Sequence, residues 1–125
     1  MATRSFIGKL LKDGSITGIY CHHDGYPEGV GSVLQENYTD LGKLDQLLQL
    51  GSISTLGAEI GEKHNFSSRS PEWTTAYHRD RGDSMDPPLE YSDVVELIKN
   101  VGSDIGVAWA YVFHYDGWRH YKLNQ

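Results

Sequence analysis

Two stretches of mainly apolar residues, each interrupted by a short polar turn and one near each end of the chain, predict β-hairpins. Ser5 to Leu11 and Ile16 to His22 are rich in β-forming residues and flank an Asp-Gly pair, the strongest short-range hairpin signal. Ile105 to His114 and Trp118 to Leu123 flank a second Asp-Gly pair. We therefore expect a hairpin at each end of the fold.

Between the hairpins, apolar residues recur at helical spacing and predict three helices. Thr39 is expected to cap the second helix and Gly51 to end it, while Ser92 caps the third and Gly102 ends it. The predicted buried stripes are Val30, Val33, Leu34 and Tyr38; Leu41, Leu44, Leu47 and Leu48; and Val94, Val95, Leu97, Ile98 and Val101.

The remaining segments are predicted to be strand or loop. Trp73 to Arg81, rich in Thr and aromatic residues, predicts a third strand. Ser52 to Phe66 predicts a helical turn followed by a loop. Residues 23–31 are dense in turn formers and residues 81–88 contain two prolines, so both predict loops.

Two hairpins without a βαβ rhythm predict an α+β fold, in which an antiparallel sheet built from the hairpins carries about three helices on one face. A chain of 125 residues suffices for one core, so residues 1–125 are expected to form a single domain.

Composition narrows the classes of function. The net charge of −6 disfavours nucleic-acid binding, which usually requires a basic surface. The lone cysteine, Cys21, suits a reducing compartment, and the sequence pattern leads us to expect neither a signal peptide nor a membrane span. We expect a cytoplasmic protein.

The first candidate site is a glycine-rich turn between a strand and a helix start. Such a turn directs backbone N–H groups towards the positive end of a helix, where an anion can bind. The alternative is a tight connection that needs positive φ at Gly25 and Gly29. The candidate ligand-binding residues of this loop are His23, Asp24, Gly25, Tyr26, Gly29 and Gly31.

The second candidate lies in the predicted third strand. There His78 would face one side, while Arg79 and Arg81 would face the other and form a fork for phosphate or carboxylate. The alternative is a charged edge strand that discourages self-association. Near the last turn, Trp118 could stack on a base, although cross-strand packing explains such a residue equally well.

The sequence disfavours both metal binding and catalysis at these residues. Cys21 and His23 could share a metal, but a zinc site would normally show a second ligand pair, which is absent from the sequence. A Cys21–His78 nucleophile pair lacks a recognisable oxyanion hole. We expect no catalytic residue, no metal and no cofactor.

The segment Tyr20 to Gly31 resembles a family of small, mostly uncharacterised phage and prophage proteins with the pattern Tyr-Cys-His-x-Asp-Gly-Tyr-Pro-x-Gly-Val-Gly. The segment Leu56 to His64 is similar to a second family motif, and the resemblance extends over roughly the first two-thirds of the chain. It implies a phage product that acts in the cytoplasm of the infected cell. By analogy with small phage accessory proteins, it implies a counter-defence role.

We therefore predict a protein that binds and sequesters a nucleotide-like host immune signal without cleaving it. One alternative is a counter-defence protein that inhibits a host defence protein through an acidic surface. A further alternative is a small hydrolase dependent on a metal or on His78. We expect no nucleic-acid or membrane partner.

A homo-oligomer is also predicted, because the last hairpin carries more large rings than one small core needs. These residues are Trp109, Tyr111, Phe113, Trp118 and Tyr121.

Overall fold

The computed structural model describes residues 2–67 and 72–123. None of the helices in these two ranges is long and apolar enough to cross a membrane. In chain order the described elements are β1 (Ser5–Leu10), β2 (Ile16–Cys21), a π-helical turn (Pro27–Gly31), α1 (Ser32–Asn37), α2 (Leu41–Gln49), β3 (Ile53–Thr55), β4 (Thr75–Ala76), α3 (Tyr77–Arg81), β5 (Leu89–Tyr91), α4 (Val94–Ile105), β6 (Trp109–His114) and β7 (Gly117–Lys122).

The strands form one sheet in the order β4-β3-β2-β1-β6-β7, and β5 pairs with part of β2. Both hairpins are confirmed, because β1 pairs antiparallel with β2 and β6 pairs antiparallel with β7. The α+β class is confirmed as well. Two parallel pairs, β1 with β6 and β2 with β3, make the sheet mixed rather than purely antiparallel.

Neighbouring residues of each central strand enter two different cores, one on each face of the sheet. Ile7 and Tyr111 pack with α1 and α2, whereas Phe6 and Val112 pack with α4. The helices therefore cover both faces, which differs from the one-sided arrangement expected from the sequence. The large rings of β6 are largely used in packing, since Tyr111 is almost completely buried and Trp109 and Phe113 pack against the same core.

The helices differ from the sequence prediction mainly at their ends. Residues 27–31, predicted to be loop, form the π-helical turn that leads into α1. Asp40, rather than Thr39, caps α2 by accepting a hydrogen bond from the Lys43 amide. Leu41 is consequently the first helical residue and is 55% exposed instead of buried.

Helix α4 begins one residue later than predicted and ends four residues later. Asp93, rather than Ser92, provides the side-chain cap. Gly102 is buried within the helix, which ends at Gly106 with φ 70°. Two residues of the predicted stripe, Val95 and Ile98, are exposed.

The segment from residue 73 to 81 contains only a two-residue strand, β4, followed by the helix α3. The side chain of Asp80 reaches back to accept a hydrogen bond from the Ala76 amide, and Gly82, with φ 83°, ends the helix. The strand prediction for residues 77–81 was therefore wrong, and so was the predicted helical turn after Ser52, where β3 forms.

Candidate functional site

A groove runs between the β2 residues Thr17, Ile19 and Tyr20 and residues 82–88, which we call the strap. It consists of three adjoining cavities of about 530, 420 and 500 Å³, and Asp86 lines all of them. The Ser52 hydroxyl donates a 2.6 Å hydrogen bond to Asp86, which ties the strap to the start of β3. We call this feature the strap groove, and its position follows from the two prolines that keep the strap out of the sheet.

One end of the strap groove is polar. The lining residues of this cavity are Tyr20, Ser52, Tyr77, Arg81, Asp83, Ser84 and Asp86. Hydroxyl, carboxylate and guanidinium groups therefore face the same volume, which allows it to hold a polar ligand through several hydrogen bonds.

Arg81 is fixed in position at this polar end. Its guanidinium lies 4.8 Å from the ring centroids of both Phe66 and Tyr77. Two hydrogen bonds, of 2.9 and 2.7 Å, link it to the carboxylate of Asp83 and keep the pKa of that group below its ordinary value. Asp83 uses the Nε and Nη2 side of the guanidinium, but half of the Arg81 side chain remains exposed, so the Nη1 side can still donate to a ligand.

The helix that carries Arg81 is anchored by Asp80, whose side chain is fully buried. Asp80 accepts hydrogen bonds from the Arg79 guanidinium at 3.0 and 3.1 Å, from the Ala76 amide at 2.7 Å and from the His64 amide at 3.1 Å. Burial raises the pKa of Asp80, but these hydrogen bonds outweigh it and hold the pKa below its ordinary value.

The middle of the strap groove is more apolar. Its lining includes Ile19, Pro87, Leu89 and Ile105 together with the Tyr20 side chain. Beyond Gly51 the groove continues along α2, beneath Met85, which is 47% exposed. An elongated ligand with one charged end and one apolar or aromatic part would match this sequence of surfaces.

Tyr20 also belongs to a group of rings at the end of β2. Its hydroxyl lies 2.8 Å from Nδ1 of His22, whose ring packs edge-on against His23 at 4.6 Å. Burial, followed by the neighbouring His23 and Arg4, lowers the pKa of His22. The neutral imidazole is thus favoured beside Tyr20.

In the predicted glycine loop, backbone N–H groups form hydrogen bonds within the protein. The Gly25 amide donates to the Thr3 carbonyl, and the Gly29 amide donates to the Tyr26 carbonyl. Positive φ occurs at Asp24, at 59°, rather than at either glycine. Close packing explains Gly29 instead, because a Cβ there would lie 2.4 Å from the Asp24 carbonyl oxygen.

The side chains of this loop point to several surroundings. Tyr26 is 39% exposed, with its hydroxyl 3.3 Å from Asp24. Gly31 is buried against Tyr111, and His23 is partly buried beside His22. None of the three lines a cavity of the strap groove.

The remaining predicted residues are largely engaged within the fold. Arg79 also donates to the carbonyls of Thr74, Ile60 and Gly61, and His78 lies 2.7 Å from the Asp83 carbonyl. Trp118 packs on Phe113 and donates to the Tyr38 carbonyl at 3.0 Å. Of the ten residues predicted to bind a ligand, Arg81 alone lines the described strap groove.

Several lining residues were missed by the sequence prediction, namely Tyr20, Ser52, Tyr77, Ser84 and Asp86. The sequence carries one signal for them, the pair Pro87-Pro88, which keeps the strap irregular. Their convergence depends on the β2–β3 pairing, which sequence patterns do not reveal.

The cysteine is sequestered from this surface. Cys21 is fully buried, its thiol donates to the His23 carbonyl at 3.5 Å, and burial raises its pKa to about 12. In the described part of the chain, no group of three or more His, Cys, Asp and Glu side chains is arranged to hold a metal ion.

Comparison of the chain with models of protein families, with curated proteins and with solved structures finds no match.

Proposed function

We propose that this protein binds a small nucleotide-like molecule in the strap groove and sequesters it without cleaving it. The observation that carries the proposal is Arg81, a guanidinium that packs against two neighbouring rings and pairs with a carboxylate at the polar end of a groove that continues over apolar side chains. A phosphate or carboxylate of the ligand pairs with Arg81, because a guanidinium matches both groups in a two-point geometry.

The rest of the strap groove supports a ligand that also contains a sugar and a base. The hydroxyls of Tyr20 and Ser84 and the carboxylate of Asp86 can pair with ribose hydroxyls. A base would then lie towards Pro87 and Ile105 in the adjoining apolar cavity. Cavities of about 420 to 530 Å³ fall within the range that small-molecule sites occupy.

The setting of this activity is part of the same proposal. The resemblance of Tyr20 to Gly31 to phage proteins supports a counter-defence role in the cytoplasm of an infected cell, with a host immune signal as the ligand. Sequestration requires tight binding and slow dissociation of the ligand, and it requires no cleavage. The groups that line the polar cavity are suited to holding such a ligand through hydrogen bonds and charge.

Calorimetric titration with a panel of linear and cyclic nucleotides, including ADP-ribose, tests the proposal. The Arg81→Gln variant should bind the best nucleotide at least about ten-fold more weakly, because a charge-assisted pair is lost. Arg119→Gln is the matched control, since Arg119 forms a similarly exposed pair with Asp116 on the last hairpin and should bind like the wild type.

Mass spectrometry of the denatured complex separates sequestration from hydrolysis. Release of the nucleotide intact after prolonged incubation supports sequestration, whereas a cleaved product would contradict it. Equal affinity of the Arg81→Gln and Arg119→Gln variants, or absence of binding across the panel, would remove the strap groove as the ligand site.

A further inference from the structure

Strand β7 forms a long edge of the sheet, because the order of strands ends with it. The Leu123 amide donates to the Ala108 carbonyl, so these two residues form a hydrogen-bonded pair next to the β6–β7 ladder. This pair shows which residues of β7 face β6 with their backbone groups. Since hydrogen-bonded pairs alternate along an antiparallel ladder, residues 117, 119 and 121 direct their backbone groups to β6. Trp118, His120 and Lys122 therefore direct their N–H and C=O groups away from the sheet.

The ionisable side chains exposed on this edge strand are basic, and one of them, Arg119, pairs with Asp116 of the preceding turn at 3.0 Å. Arg119, His120 and Lys122 are exposed, and β7 contains no acidic residue. The protein as a whole carries a net charge of −6, so this basic edge stands out from the average surface. At the other end of the described sheet, β4 has only two residues and offers little backbone for pairing.

The same charges oppose the pairing of two copies of the chain through this edge. A two-fold antiparallel pairing would bring six basic side chains together and would place His120 near its own copy. The edge of a single copy, in contrast, combines backbone groups that point away from the described sheet with basic side chains on both faces of the strand. Arg119 lies opposite Val112 on the α4 face, whereas His120 packs against Trp109 and Tyr111 on the other face.

We propose that β7 is a docking edge for an extended, acidic segment of a partner protein, which adds a strand to the sheet. The backbone groups of Trp118, His120 and Lys122 would hold the segment by main-chain hydrogen bonds. Arg119 and Lys122 would select acidic side chains, one on each face of the added strand. This surface is separate from the strap groove, so the proposal stands independently of ligand binding.

Nuclear magnetic resonance with a seven-residue peptide of alternating glutamate and valine tests the proposal. Binding should slow the amide hydrogen exchange of Trp118, His120 and Lys122 by about ten-fold or more at saturation, because these amides gain partners. The amides of Arg119 and Tyr121 already pair with β6 and should change little. This alternation distinguishes an added strand from diffuse electrostatic attraction.

The matched variants are Arg119→Glu/Lys122→Glu and the control Lys12→Glu/Lys99→Glu, which changes the net charge equally at exposed sites elsewhere. The edge variant should weaken peptide binding about ten-fold or more, whereas the control should bind like the wild type. The proposal is overturned by equal binding of a lysine-valine peptide, by preferential binding of oligothymidylate, or by slowing that does not alternate. It is also overturned if sedimentation shows that two copies pair through this edge.

Discussion

Replacement of Asp80 by Asn tests whether the buried ion pair holds α3 in place. The carboxylate is fully buried and accepts four hydrogen bonds, two of them from Arg79. Removal of one partner of a buried ion pair typically costs about 3–5 kcal/mol. Arg79 retains the carbonyls of Thr74, Ile60 and Gly61, so we expect the lower end, about 3 kcal/mol of unfolding free energy.

Urea denaturation followed by tryptophan fluorescence provides the measurement. For a chain of 125 residues, a loss of this size lowers the melting temperature by about 10 °C. The control is Asp116→Asn, which removes the same charge from an exposed pair with Arg119 and should leave the denaturation midpoint almost unchanged. Equal destabilisation of the two variants would refute the reasoning.

The pH dependence offers an independent check on Asp80. Because its pKa in the folded protein lies below the ordinary value of 3.8, its stabilising contribution is complete above that pH and is lost as the pH falls further. The difference in unfolding free energy between the wild type and Asp80→Asn should therefore shrink below about pH 4. A constant difference down to pH 2 would contradict this assignment.

Three further perturbations follow from individual contacts. Tyr111→Phe leaves the buried Gly25 carbonyl without its 2.7 Å donor and should cost about 1–2 kcal/mol, measured by urea denaturation. Gly18→Ala should prevent a soluble native fold, because the new Cβ would lie 2.3 Å from a backbone oxygen of β1; a native circular dichroism spectrum would contradict this. Burial lowers the pKa of both His22 and His114, so unfolding free energy should decrease as the pH falls below about 6.5; denaturation at pH 7.5 and 5.5 checks the sign.

The sequence was most informative where local chemistry alone determines the structure. The two Asp-Gly turns identified both hairpins, and Gly51, with φ 75°, follows α2 as predicted. Periodicity also identified the residues of α4 that are most buried, Leu97 and Val101. These features depend on residues that are close in the chain, so they can be predicted from the sequence.

The sequence was misleading where tertiary contacts select the structure. Residues 73–77 are rich in Thr and aromatic side chains, which favour a strand. From Tyr77 onwards the chain is nevertheless helical, and the Asp80 side chain accepts a hydrogen bond from the Ala76 amide at the start of this helix. The candidate site depended on this error, since a strand would have placed Arg79 and Arg81 on one face. In the helix Arg79 lies inward and Arg81 reaches the strap groove.

The parallel pairing of β1 with β6 has a consequence for how the chain acquires its structure. Ser5 lies beside Trp109, so the central pair of strands joins segments that are separated by roughly a hundred residues of chain. During synthesis, the first hairpin must wait with one edge uncovered until β6 leaves the ribosome. We expect refolding to be slow for a domain of this size, and fragments that end before β6 to aggregate rather than to form a partial sheet.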